Sequence, residues 1–144
     1  MSRCYLDAVR SIDQTVNPLF AFLQARLTLA EHGRAAISMP VGQHLRQGGG
    51  QVAGGILATM ADECMAHAVL SLLDSSQTIV TVEMNVRYLR PTSPDQGGEL
   101  TARASVVKNG RTLTVAEATV HDSDGRLLAT AGATFYVHSG ACAG

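Results

Sequence analysis

Aromatic residues are scarce in this chain. It has no tryptophan and only three phenylalanines and three tyrosines in 144 residues, which argues against a binding pocket built from stacked rings. Lysine is nearly absent as well: ten of the eleven basic side chains are arginine, and Lys108 is the exception. Neither sign of charge prevails. Eleven basic against twelve acidic residues leave a formal net charge of -1, which gives no reason to expect nucleic acid as a bulk partner. The three cysteines, Cys4, Cys64 and Cys142, are scattered and lack metal-ligand spacing, so they read as free thiols in a reducing compartment. The N-terminal stretch holds no apolar signal core, and no run reaches the length of a membrane span. A cytoplasmic location is the expectation.

What is present describes a globular chain. Hydrophobic residues make up 46% and charged residues only 16%, too apolar for disorder. The length suits one domain over residues 1–144, with residues 1–24 as an N-terminal helical segment. Leu6, Val9 and Ile12 recur at helical spacing over residues 4–13, and Asn17-Pro18 is a helix-start signal. Residues 25–31 and 34–41 read as strands around His32-Gly33. A polar, glycine-rich loop over 42–53 then opens into a buried helix expected over 55–73. Val82, Met84, Val86 and Tyr88 alternate with Thr81, Glu83, Asn85 and Arg87, a strand ended by Arg90-Pro91. Two hairpins follow. Residues 100–108 and 111–121 flank Asn109-Gly110, a type I′ turn signal, and Asp124-Gly125 leads into 126–138. Strands, one buried helix and a strand meander predict an α+β fold, an antiparallel sheet wrapped on a central helix.

Two acids in the middle of that helix, Asp62 and Glu63, demand an explanation, because a buried carboxylate without a partner is costly. Glu63 has His67 four residues on, so a polar i,i+4 stripe accounts for it. Asp62 has only Ala58 and Ala66 as i±4 neighbours, and its partner must come from another segment unless it is held there for chemistry. Roughly 12 Å before it, at ~1.5 Å per residue, Gly54 and Gly55 open the helix. Free N–H groups at a buried helix start, with no side chain in the way, stabilise a developing negative charge. The run from Gly48 to Ala53 also fits G-x-G-x-x-A. It follows no buried strand and opens no βαβ unit, so it is no dinucleotide fingerprint.

Three motifs in register resemble the hotdog-fold acyl-CoA thioesterases of the phenylacetate-pathway type. They are Ala53-Gly54-Gly55-Ile56-Leu57-Ala58-Thr59-Met60-Ala61-Asp62, Thr81-Val82-Glu83-Met84-Asn85-Val86-Arg87-Tyr88-Leu89-Arg90-Pro91 and Lys108-Asn109-Gly110-Arg111-Thr112. The resemblance covers about residues 40–138 and implies a hotdog fold assembled as dimers, which usually pair into tetramers. By position it assigns the Gly54 N–H to polarising the thioester carbonyl, with Gly55 beside it, and Gln47 to binding the carbonyl or positioning the attack. Asp62 becomes the catalytic carboxylate, and Thr81 a hydroxyl that helps hold the water. Tyr88 and Lys108 through Thr112 fall where the family contacts coenzyme A. Arg90 joins Lys108 and Arg111 as a cation suited to phosphate. In such dimers the glycine and amide come from one subunit, the acid and hydroxyl from the other.

The implied reaction is acyl-CoA hydrolysis to free acid and coenzyme A, dependent on a carboxylate. It uses neither metal nor separate cofactor, coenzyme A being part of the substrate. One departure stands out: the family usually reads His-Gly-Gly, and here Ala53 precedes the glycines. The backbone donor survives that change; the anchoring of the loop is what it touches. A non-catalytic acyl-CoA-binding hotdog protein is the alternative, favoured by Ala53 and opposed by Asp62. A hotdog dehydratase would need a catalytic histidine near the acid, and only His44 in the loop is a candidate, His67 lying a turn too far on.

Overall fold

The computed structural model describes residues 2–140; Cys142 lies outside them. Six antiparallel strands form one sheet in the order β1-β2-β4-β5-β6-β3. They are β1 (Arg26–Glu31), β2 (Arg34–Pro40), β3 (Gln77–Tyr88), β4 (Glu99–Asn109), β5 (Leu113–His121) and β6 (Leu127–Ser139). Across one face of the sheet lies α3 (Gly54–Leu70), packed against every strand. Two short helices, α1 (Ser2–Val9) and α2 (Pro18–Leu23), precede β1. This is the hotdog fold. No described helix is long and apolar enough to cross a membrane.

Small side chains on the inner face of the sheet let the helix lie close. Ala104 of β4, Ala118 of β5 and Ala131 of β6 are cross-strand partners in one row, and Ala116 pairs with Ala133 in the next. All five are buried. Larger side chains, Ile37, Met39, Leu100, Leu128 and Phe135, close the core around this alanine floor. From the helix, Leu57, Met60, Ala61, Cys64, Met65 and Ala68 fill it. The opposite stripe, Gly55, Thr59, Asp62 and Ala66, is not fully covered by the chain's own sheet. The helix is therefore apolar over most of its circumference but open along the line that carries Asp62.

Several boundaries differ from the sequence reading. The central helix begins at Gly54 and ends at Leu70, so Leu72 and Leu73 fall in the turn beyond it. α1 stops at Val9, which leaves Ile12 84% exposed rather than on a buried face. Asn17 caps α2 as expected, its side-chain oxygen accepting from the Phe20 N–H at 3.2 Å. The hairpin turns exchange roles. Asn109-Gly110 is not a type I′ turn: that turn needs positive φ at both central residues, and neither has it. Asn109 instead pairs with Thr114, making a wider loop, and a Cβ on Gly110 would overlap the Leu113 carbonyl. The two-residue turn with positive φ is His32-Gly33 (φ 50° and 74°), closing the Glu31–Arg34 pair.

β3 holds the difference that matters most for the site. Strict alternation would place Val82, Met84, Val86 and Tyr88 on one face and turn Thr81 to the other. A register shift between Thr81 and Glu83 breaks the pattern, making Val82 the extra residue of a bulge. Thr81 then pairs with Phe135 and Met84 with Ala133, two inward-facing residues of β6. Thr81 thus faces the helix, while Val82 is 57% exposed at the edge of the sheet. β3 has only β6 as neighbour, so its other edge is unpaired within the chain.

The alanine floor generates a stability prediction. Ala116→Leu should destabilise by about 1–3 kcal/mol, because added methylenes must lift the helix or force strained rotamers. Thr119→Val, on the outer face of the same strand, should stay within about 0.5 kcal/mol. Urea unfolding followed by circular dichroism would show a lowered midpoint for the first variant alone.

Candidate active site

The loop before α3 is fixed by its own polar groups. The Ala53 N–H donates to the Leu45 carbonyl and the Val52 N–H to the Thr92 carbonyl, both at 2.9 Å. Arg46 ties the loop to the segment after β3: its guanidinium meets Asp95 at 2.5 Å, Gln43 Oε1 at 2.9 Å and the Gly50 carbonyl at 3.1 Å. That cation and the Gln43 amide hold the Asp95 carboxyl below its ordinary range. Gln47 sits in a tight turn, its carbonyl accepting from the Gly50 N–H at 2.9 Å. Its side-chain oxygen accepts from the Gly49 N–H, so within one chain the amide is folded back onto its own loop.

A hollow of about 350 Å³ opens at this end of the helix, lined by Gln47, Gly54, Leu57, Tyr88, Arg90 and Thr92 among others. The structure thus brings together four of the expected residues, Gln47, Gly54, Tyr88 and Arg90. The Tyr88 hydroxyl donates to the Gly54 carbonyl at 2.9 Å, and Arg90 donates to the Leu127 carbonyl at 3.1 Å. A larger hollow, about 590 Å³, lies on the outer face of the sheet around Arg87, Arg103 and Glu117 and contains none of the expected site residues.

Asp62 lies two helical turns away, on the incompletely covered stripe. The Thr81 hydroxyl donates to its Oδ1 at 3.0 Å. That is the partner from another segment which the helix itself does not offer, and the bulge at Val82 is what turns Thr81 toward it. The bond leaves Oδ2 free to accept a proton, and Oδ1 held in one orientation.

Glu63 points elsewhere. Burial raises its pKa, the negative charge of Asp62 adds to the rise, and a hydrogen bond from the Asn17 side chain opposes it. The expected Glu63–His67 i,i+4 stripe is present, and its short contact runs to the backbone rather than to the carboxylate. His67 Nδ1 lies 2.6 Å from the Glu63 backbone carbonyl and 3.9 Å from its carboxylate. His67 is 1% exposed, and burial lowers its pKa, which keeps it neutral. With Nδ1–H donating to the carbonyl, Nε2 accepts from the Tyr5 hydroxyl at 3.2 Å, and Tyr5 in turn accepts from Asn17 Nδ2 at 2.9 Å. This network fastens α1 and α2 to the central helix and commits both ring nitrogens of His67. Nothing in the local spacing around Glu63 signals it, because Tyr5 and Asn17 come from a distant stretch of chain.

Lys108, Asn109, Gly110, Arg111 and Thr112 stand apart from the hollow. Their hairpin shares a row with Thr81, through the pairs Asn109–Thr114, Thr114–Phe135 and Phe135–Thr81. Tyr88 pairs with Ala129, six positions along β6 from Phe135, or roughly 20 Å at ~3.3 Å per residue. One chain therefore holds the glycine and amide at one end of the sheet, and the acid, hydroxyl and phosphate-suited hairpin nearer the other.

Comparison with known proteins gives this arrangement its context. The model of the thioesterase superfamily matches residues 49–129, more than half the chain and a span that includes both Gly54 and Asp62. A Halobacterium salinarum protein bearing an esterase name is 37% identical over 121 residues, covering 79% of this chain and 78% of that protein. Among solved structures, a thioesterase family protein from Silicibacter pomeroyi superposes with a TM-score of 0.82 at 36% identity, over 94% of this chain and 99% of that one. A phenylacetic acid degradation-related protein from Ralstonia eutropha does so with a TM-score of 0.80 at 25% identity, over 92% and 98% of the two chains. With its helix laid across an antiparallel sheet and the family's match running from the glycine loop into β6, the chain belongs to the thioesterase superfamily of hotdog proteins.

Proposed function

We propose that this protein hydrolyses acyl-CoA thioesters, with Asp62 as the carboxylate that carries the reaction and without a metal. The observation that supports this most directly is the Thr81–Asp62 hydrogen bond on the one stripe of α3 that its own sheet leaves open. An acid there is oriented, partly exposed and free on one oxygen. Its oxygen Oδ2 takes a proton from water as the water oxygen attacks the thioester carbonyl. The resulting oxyanion lies against the Gly54 N–H, with the Gln47 amide beside it, and collapse breaks the C–S bond. The proton then passes to the departing thiolate, giving a free acid and coenzyme A. Direct attack by Asp62, through an anhydride that water opens, uses the same atoms and the same oxyanion donors.

The working unit in this reading is a homodimer, paired further into a tetramer. Within one chain Gly54 and Asp62 are about 12 Å apart along the helix, too far to act on one carbonyl. The unpaired edge of β3 carries Val80 and Val82 exposed, a surface that a second copy would cover. A two-fold pairing there sets the glycine and amide of one protomer against the acid and hydroxyl of the other, and each dimer holds two such sites. Lys108 and Arg111 then serve the coenzyme's phosphates from the rim. The acyl group is decided by whatever lines the shared cleft.

Asp62→Asn should lower kcat roughly 10²-fold or more with the fold intact, the usual scale for a lost general base. Glu63→Gln should cost far less; reversed effects would move the role to Glu63, and turnover by Asp62→Asn near the wild-type rate would end the assignment. Arg111→Ala should raise KM for acyl-CoA more than it lowers kcat, and should matter little with a truncated pantetheine thioester. Mixing an inactive Gln47→Ala chain with an inactive Asp62→Asn chain should restore turnover, because one site of each mixed dimer is intact. Mixed dimers that are shown to form and stay inactive would refute the shared site.

A further inference from the structure

The start of α3 is poorly held by its own sequence. Ala53 at the N-cap offers no side-chain bond to the helix. The two residues after it are glycines, each costing roughly 0.5–1 kcal/mol in chain entropy relative to alanine. Yet the N–H groups there must keep one direction if they are to receive an oxyanion. Among the described residues, neither the Gly54 N–H nor the Gly55 N–H has an acceptor.

The hold comes from β3. The ring of Tyr88 lies against Gly54 so closely that a Cβ on that glycine would sit 3.2 Å from Cζ and 3.3 Å from Cε1 and Oη. The hydroxyl of the same ring donates to the Gly54 carbonyl at 2.9 Å. A carbonyl has two lone pairs, so this bond adds to the helical one. The carbonyls on either side are engaged as well: Ala53 accepts from the Ile56 N–H at 2.9 Å and Gly55 from the Thr59 hydroxyl at 2.8 Å.

We propose that Tyr88 is a positioning residue of this site: it clamps Gly54 between ring and hydroxyl and so fixes the Gly54 and Gly55 N–H pair toward the reacting carbonyl. This rests on the oxyanion role given to the helix start above. The clamp does from a strand what an N-capping side chain would do from the loop. Its hydroxyl also polarises the Gly54–Gly55 peptide, whose N–H belongs to Gly55, and hydrogen bonds in series strengthen one another. With its hydroxyl committed to Gly54, Tyr88 acts through the backbone rather than as a polar contact to coenzyme A.

Tyr88→Phe keeps the ring and removes the hydroxyl. With an acyl-CoA substrate, kcat should fall roughly 10-fold while KM stays within about twofold, the pattern of an interaction realised in the transition state. In ¹⁵N-labelled protein the Gly55 amide resonance should shift while those of the distant β1–β2 hairpin stay in place, which also shows that the variant is folded. A rise in KM at unchanged kcat would overturn the proposal and return Tyr88 to coenzyme contact. Unchanged kinetics would overturn it too, as would an unmoved Gly55 resonance. If the wild-type protein turns over no thioester, the functional reading fails by itself, and the Gly55 resonance still decides whether the clamp exists.

Discussion

Everything in this structure depends on how closely the helix can lie on the sheet. The inner face of β4, β5 and β6 is floored with alanine, and a methyl side chain is the smallest that still excludes water from the gap. Close packing at interior density is what fixes the helix axis and rotation. Rotation in turn decides which residues remain outside the core. With Leu57, Met60, Ala61, Cys64 and Ala68 committed to the floor, the stripe through Gly55, Thr59 and Asp62 has no choice of direction. A carboxylate placed on such a stripe escapes the cost of full burial, and a rigid helix still holds it.

The polar groups divide into those that build and those left available. Arg46 and Asp95 tie one loop to another, and the Asn17–Tyr5–His67 chain binds the N-terminal helices to α3. His67 is satisfied on both ring nitrogens, a buried neutral imidazole whose two neighbours fix its tautomer. The pair Thr81–Asp62 is different in kind, a single bond that leaves the second carboxylate oxygen unspent. The adjacent acids thus have separate duties. Glu63, its pKa raised by burial, belongs to the network under the N-terminal helices, and Asp62 to the open side.

Much of this was legible in the sequence, and the failures have physical causes. The buried helix, the six strands and the α+β layout follow from hydrophobic period and turn chemistry, which are local. Asn17-Pro18 named its helix start for the same reason. Asp62 stood out because an acid in an apolar run lacks a local explanation. Asn109-Gly110 misled because β4 and β5 pair through Asn109 and Thr114, so the strands' own register overrode the dipeptide's preference. Composition could not show that Glu63 answers to Asn17, since that contact joins segments far apart in the chain. Nor could alternation show that a bulge at Val82 turns Thr81 toward Asp62, since a regular strand puts that hydroxyl on the other face.

The bulge at Val82 has a consequence for how such a site can vary over time. Thr81 faces the helix because one of the two residues between it and Met84 is set outside the pairing with β6. Loss of that extra residue would leave Thr81 opposite Phe135 and Met84 opposite Ala133 in plain alternation, with both still turned inward. Closure of the bulge with both residues kept would instead turn Thr81 to the outer face, away from Asp62. Within a lineage, the acid and its hydroxyl partner can therefore outlast a one-residue deletion at this point of the strand, while a change that only flattens the strand would part them without altering its length.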